Sequence, residues 1–337
     1  VTVRAIVARR DEGLGARIVR HVPLLYRQGA DAALDRPAHV RAASGLAWIG
    51  DALAVIQDDA NFVALADPAT GLADVVTLPA GEGGMRQFGA ERGNKRFKLD
   101  LEGCTAVLDG SGGMTLVAFG SGSAAGRDRI LRVDGIRGGE PSVDLRGAPA
   151  FYALLRRTHD FAGGELNVEG AAWRGGRIVL LNRGNGAAVD DRAAVDAICE
   201  VGWADLRAHL EDADRHPPPA PSSIRQYNLG TIGGCRLAFT DAVAVGDALV
   251  YTATAEDSPN AVDDGPVAGS AIGIIRADGE ARWTELLGED GGRFDSKVEG
   301  VARGLRPGTL YVVVDRDDPH RPSELCEVEL GGDWPRW

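Results

Sequence analysis

The sequence predicts an all-β fold: a β-propeller, five blades preferred over six, with a short helical insertion in the third repeat. Three observations carry this expectation. A strand–turn–strand pattern recurs five times in 337 residues. Its strands are short, rich in Val, Leu, Ile and Ala, and joined by glycine-containing turns, with little strongly helical sequence between them. The copies are also widely spaced. Aligned on Gly45, Gly103, Gly170, Ala242 and Gly300, they lie 58, 67, 72 and 58 residues apart, enough for one four-stranded unit each.

The repeat cores fall near residues 42–61, 97–123, 165–186, 238–258 and 296–318, within one expected domain over 1–337. The first reads "AASGLAWIGDALAVIQDDAN" and the second contains "LDLEGCTAVLDGSGGMTLVAFGSGS". The third contains "NVEGAAWRGGRIVLLNRGNG", the fourth "FTDAVAVGDALVYTATAEDS" and the fifth "KVEGVARGLRPGTLYVVVDRDD". Each opens on a small polar or acidic residue followed by Gly or Ala. A short apolar strand, a turn and a second apolar strand follow, and the end is polar. Between the cores, "RILRVD", "PSVDL", "AICEV", "AIGIIRA" and "ARWTELL" supply outer strands. In "GWADLRAHLEDADRHPPPAP", Trp203, Leu206 and Leu210 share a helical face before a proline stop, which predicts the insertion. The stretch from Gly300 through the termini to Gly45 makes one blade closed by an N-terminal strand such as "VRAIVA", or else hides a degenerate sixth.

Composition narrows the function. The net charge of -12 disfavours nucleic acid and anionic membranes as partners and suits cation binding. No apolar run is long enough to span a bilayer, and no secretory pattern opens the sequence, so a cytoplasmic location is expected over a periplasmic or secreted one. The four cysteines form no CxxC, and the six histidines form no HExxH, which argues against zinc. GxSxG, Walker and dinucleotide motifs are missing as well.

The chemistry concentrates where the hairpins begin and end. In a propeller the first strand of each blade lines the channel, and the antiparallel second strand returns beside its start. One rim therefore gathers Ser44, Glu102, Glu169, Asp241 and Glu299. The returning ends add Asp58, Asp59, Asn182, Arg183, Asp315 and Arg316, among others. Carboxylates converging on an axis repel unless protonated or neutralised by a cation, and an all-oxygen set selects a hard ion, Ca²⁺ before Mg²⁺. Glu102, Glu169, Asp241 and Glu299 are the metal candidates. Arg96, Lys98, Arg183, Arg316, Ser44 and Asn182 are the substrate-binding candidates, with "RGNKRFKLDLEG" placing two of the three lysines just before Glu102. The same acids have a structural reading, as acceptors of backbone N–H groups in the turns. The "AEDSPNAVDDG" and "DRDDPH" runs read as exposed turns, since neither has EF-hand spacing.

These motifs carry resemblances. "KVEGVARG…LYVVVDRDD" and "LDLEGCTAV" resemble the repeats of the phytase-like (esterase-like phytase) propellers. "NVEGAAW" is similar to the EGPxW metal segment of the gluconolactonase and paraoxonase lactonases, whose other ligands have no match here beyond Glu169 and Asp241. "GSGSAAGRDRI", "NRGNG" and "AEDSPNAVDDGPVAGSAIG" resemble a bacterial family of uncharacterised propellers over nearly the whole chain. The resemblances imply a propeller and a calcium-dependent hydrolase of a small anionic ester, either a phosphoester or a lactone. The alternative is a non-catalytic propeller that binds a ligand or a protein.

Overall fold

The computed structural model describes residues 4–334, apart from 109–111, 125, 137–138, 187 and 258–264. The protein is all-β. Five four-stranded antiparallel meanders follow one another, and each starts at one of the sequence repeats. Sheet I comprises Ala43–Ile49, Ala52–Gln57, Phe62–Ala66 and Leu72–Thr77. Sheet II comprises Leu101–Leu108, Met114–Gly120, Arg129–Asp134 and Ser142–Gly147. Sheet III comprises Val168–Arg174, Arg177–Asn182, Asp196–Gly202 and Ser222–Asn228. Sheet IV comprises Cys235–Val245, Ala248–Glu256, Val267–Ile275 and Ala281–Leu287. Sheet V comprises Lys297–Arg303, Thr309–Asp315, Glu324–Gly332 and, from the other end of the sequence, Leu14–Pro23. The outer edges of sheets IV and V also pair, Leu286 with Ala16 and Leu287 with Arg17.

The first strands of the five sheets pack side by side in a closed ring, sheet V returning to sheet I. The core is accordingly divided into five wedges, one between each pair of neighbouring sheets. That division explains the strand sequences. A strand packed on both faces needs apolar residues at consecutive positions, as in "IVLL" and "LYVVV", where a one-faced strand would alternate. Phe119, Val168 and Leu180 fill the wedge between sheets II and III, while Val250, Val298 and Val312 fill that between IV and V. Each large side chain so buried contributes about 1.5–3 kcal/mol.

Two expectations need correction. The strand closing sheet V is Leu14–Pro23 and not "VRAIVA", whose Ile6–Val7 instead runs parallel to the outer edge of sheet III. Residues 14–23 win that place because Leu14, Ala16 and Ile18 are buried on sheet V, whereas Val7 remains exposed. The sequence also holds more helix than the insertion. α1 (Pro149–Arg157) and α2 (His159–Ala162) stand between sheets II and III, before the expected α3 (Trp203–Glu211) within sheet III. Pro149 sits at the start of α1, where a missing N–H costs nothing. Phe151, Tyr152 and Leu155 bury its inner face, and Tyr152 donates a hydrogen bond of 2.8 Å to Gly120 O. This helix pair lengthens the spacing from Gly103 to Gly170, as α3 lengthens the next.

Candidate functional site

The ring of first strands carries a shared irregularity. In each, the pairing with the second strand slips by one residue, at Ser44, Glu102, Glu169, Thr240 and Glu299. Such a bulge re-aims the extra residue. Ser44, Glu102, Glu169 and Glu299 thereby line one axial cavity of about 60 Å³. The second strands return beside them as antiparallel pairing requires, Val168 opposite Asn182 and Lys297 opposite Asp315.

Among the described residues, seven carboxylates stand in the cavity wall: Asp58, Asp100, Glu102, Glu169, Glu299, Asp315 and Asp317. Five cations face them: Lys95, Lys98, Arg127, Arg183 and Lys297. Most of these groups are paired. Lys98 bridges Asp58 and Asp100, the latter at 2.6 Å, and Arg127 reaches Asp100 at 2.9 Å. Lys297 holds Glu299 at 2.7 Å. Arg183 lies 3.5 Å from Glu169 and also pairs with the buried Glu256, and Asn167 donates to Glu169 at 2.7 Å. Glu102 has no ion-pair partner among the described residues. Its carboxylate, with those of Asp58 and Asp100, forms a set in which one oxygen from each lies within 4.8 Å of the other two.

The described lining residues are therefore formally two negative charges in excess, before Glu256, which shares Arg183, is counted, and the acidities reflect it. Burial pushes Glu102 well above the usual carboxylate range, reinforced by Asp58, Asp100 and Glu169. Burial raises Glu299 to about 8 and Asp315 to about 7, with neighbouring acids adding to both shifts. Asp58 rises to about 6 by burial, against the pull of Lys98. Burial acts on Asp100 too, but Lys98 and Arg127 outweigh it and hold the group below its ordinary value. Without a cation this wall retains protons at neutral pH.

A second recess, about 320 Å³, adjoins the first. The two share Ala42, Asp58, Lys95, Lys98, Asp315 and Asp317, and the second adds among others Arg41, Phe88, Ala90 and Pro319 with the acids Asp59, Glu91 and Asp318. The axial cavity admits an ion or a polar head group, while the recess has the size of a small-ligand pocket.

The family of unknown function DUF6929 matches residues 39–330. The chain belongs to that family. No curated protein matches it. Among solved structures, this DUF6929 member is similar to the glutaminyl cyclase of Myxococcus xanthus at 9% identity and a TM-score of 0.49, covering 98% of this chain and 100% of that one. It is similar to a putative exported protein of Bacteroides fragilis at 8% identity and a TM-score of 0.43, over 98% and 100%. It is similar to a glycosyl hydrolase of Bacteroides ovatus at 7% identity and a TM-score of 0.43, over 96% and 94%. Likenesses this distant carry no argument about activity.

Of the residues singled out from the DUF6929 sequence, Glu102, Glu169, Glu299, Ser44, Lys98 and Arg183 meet in the cavity wall. Asp241 does not. The bulge in sheet IV falls on Thr240, so the repeat there aligns one residue earlier, and Asp241 takes the place of the glycine that recurs in the other four copies, below the rim. Arg96 is exposed with its guanidinium 4.5 Å from the Phe97 ring centre. Arg316 turns outward to Ser296 and Glu324. Asn182 is fully buried and structural: it accepts from Asn167 N–H and donates to Val195 O, both at 2.8 Å. Residues 258–264 of the "AEDSPNAVDDG" run lie outside the described residues.

Three partners were missed: Asp100, Asn167 and Lys297. Each stands two residues before a rim glutamate, in "DLEG", "NVEG" and "KVEG". That i, i+2 spacing, which puts two side chains on one face of a strand, was the available signal. Arg127 had none, since it reaches the cavity from a loop after the second strand of sheet II.

Proposed function

We propose that the five meanders are the blades of a five-bladed propeller and that its axial cavity is a divalent-cation site serving hydrolysis of a small ester. One observation carries the reading: Asp58, Asp100 and Glu102 present oxygens within 4.8 Å of one another in a wall two negative charges in excess. A single divalent cation cancels that excess and releases the protons otherwise held there. Oxygen ligands alone favour Ca²⁺ or Mg²⁺. A bound cation would supply polarisation of the ester's carbonyl or phosphoryl oxygen. In this reading Lys95, and Arg183 where Glu169 and Glu256 leave it charge to share, would hold an anionic head group, and Phe88, Ala90 and Pro319 would face the rest of the molecule.

The test is calorimetry with metal-stripped protein and Ca²⁺, Mg²⁺ or Mn²⁺, beside turnover of model phosphoesters and lactones. Binding that releases protons and is lost in Glu102→Gln supports the reading. Absence of binding for all three ions sinks it. The ion pairing of Glu169 and Glu299 favours a second reading, a propeller that binds a small ligand without turning it over. Cation binding with no turnover of any model ester selects that one.

A further inference from the structure

Directly below the rim bulges lies a ring made by Gly45, Gly103, Gly170, Asp241 and Gly300, the residues that follow them. The strands approach so closely here that side chains have no room. A Cβ on Gly103 would stand 2.7 Å from the carbonyl carbon of Gly170, and one on Gly300 2.8 Å from Gly45. A Cβ on Gly170 would stand 2.8 Å from the Asp241 Cα and 3.0 Å from its Oδ1. The ring therefore has space for one side chain on the axis, and Asp241 supplies it. That side chain is fully buried.

The surroundings of the carboxylate are backbone amides. Val301 N–H, just after the ring position of sheet V, donates to Asp241 Oδ2 at 3.0 Å. Burial pushes the Asp241 carboxyl well above its ordinary range, and the amides of Val301, Ala242, Ala171 and Leu46, the last three just after the ring positions of sheets IV, III and I, pull it back toward the ionised form. Oδ1 has no hydrogen-bond partner among the described residues. Converging N–H dipoles of this kind form an anion site. We propose that the ring is an anion-binding site built from four of the five sheets, that the Asp241 carboxylate fills it as an internal ligand, and that this pin sets the height of the rim residues above it. Removing the side chain leaves a vacancy for a small monovalent anion of carboxylate chemistry, of which formate is the closest copy of what was lost. The inference is independent of what the rim binds.

The experiment is thermal unfolding of wild type, Asp241→Gly and Asp241→Asn in sodium formate, against sodium chloride at matched ionic strength. Asp241→Gly restores glycine at the fifth place. We expect it to lose several degrees in Tm, and formate to return part of that loss saturably, with no such response in wild type or Asp241→Asn. A Tm equal to wild type, or a formate response equal in all three proteins, overturns the proposal. Should Asp241→Gly fail to fold, Asp241→Asn decides. It keeps the shape and removes the charge, so a lowered Tm between pH 5 and 9 supports an anion on the axis, and an unchanged Tm overturns it.

Discussion

The Lys98 ammonium stands 2.6 Å from Asp100 and also bonds Asp58, so one side chain ties the start of sheet II to the returning end of sheet I. Lys98 is itself buried, and its charge is held well above the ordinary lysine range because Asp58, Asp100 and Glu102 outweigh its burial. Replacing Lys98 with Met strands Asp58, while Asp100 keeps Arg127. Breaking a buried pair this way costs about 3–5 kcal/mol. Urea unfolding in chelator is expected to show that loss, and millimolar Ca²⁺ to recover part of it, since a divalent ion can take over the ammonium's role. A loss that no cation relieves would argue against a cation site beside Lys98.

Stability should depend on pH in a definite direction. Glu299 rises from 4.5 unfolded to about 8 folded, and Asp315 from 3.8 to about 7. Between those values the native state binds more protons than the unfolded chain, so ionisation works against folding. The stability contribution is complete below about pH 4 and is lost as pH rises through 7 and 8. In chelator, Tm is expected to fall from pH 5 to 9, and Glu299→Gln to flatten the upper part of the fall. A profile that rises across this range contradicts the assignment.

The glycine ring predicts steric intolerance. Gly103→Ala and Gly300→Ala drive a methyl to within 2.7–2.8 Å of neighbouring backbone, which cannot swing away as a side chain can. Overpacking of this kind costs about 1–3 kcal/mol and sometimes more. Gly331→Ala is the control, having no atom of the described residues within 4 Å of the new methyl. Denaturant midpoints should drop for the first two and stay near wild type for the third. Equal midpoints for all three would mean the ring is looser than described.

Asp196 joins sheets III and IV. Fully buried, it accepts from Gly184 N–H at 3.0 Å and Phe239 N–H at 2.9 Å, and Arg236 lies 3.2 Å away. Asp196→Ala leaves those two amides without an acceptor, at about 1–3 kcal/mol each. Hydrogen exchange should quicken at Gly184 and Phe239 ahead of the rest of sheets III and IV. Uniform acceleration would place the loss elsewhere.

The repeats were legible because each hairpin is local. Gly turns and doubly apolar strands mark it within some twenty residues, and antiparallel return alone predicts that Arg183 and Asp315 come back beside Glu169 and Glu299. The N-terminal closure was not, because Leu14–Pro23 and "VRAIVA" both read as strands and only the distant partner strand Glu324–Gly332 chooses between them. Asp241 was misaligned by one residue for a related reason. Its Phe-Thr-Asp-Ala run has no glycine to fix the register, and a one-residue shift moves a side chain to another face.

The sequence alone determined an all-β fold, five hairpins and the rim on which acids collect, since periodicity and turn chemistry act between near neighbours. The tertiary structure decided which acids are neutralised and which are not. Lys98, Arg183 and Lys297 quench their partners, Glu102 has no ion-pair partner among the described residues, and Asp241 leaves the rim for the axis. Those outcomes depend on distances of a few ångströms between strands remote in sequence and on bulges that no spacing of residue types encodes, and Coulomb energies in a buried site change sharply over such distances.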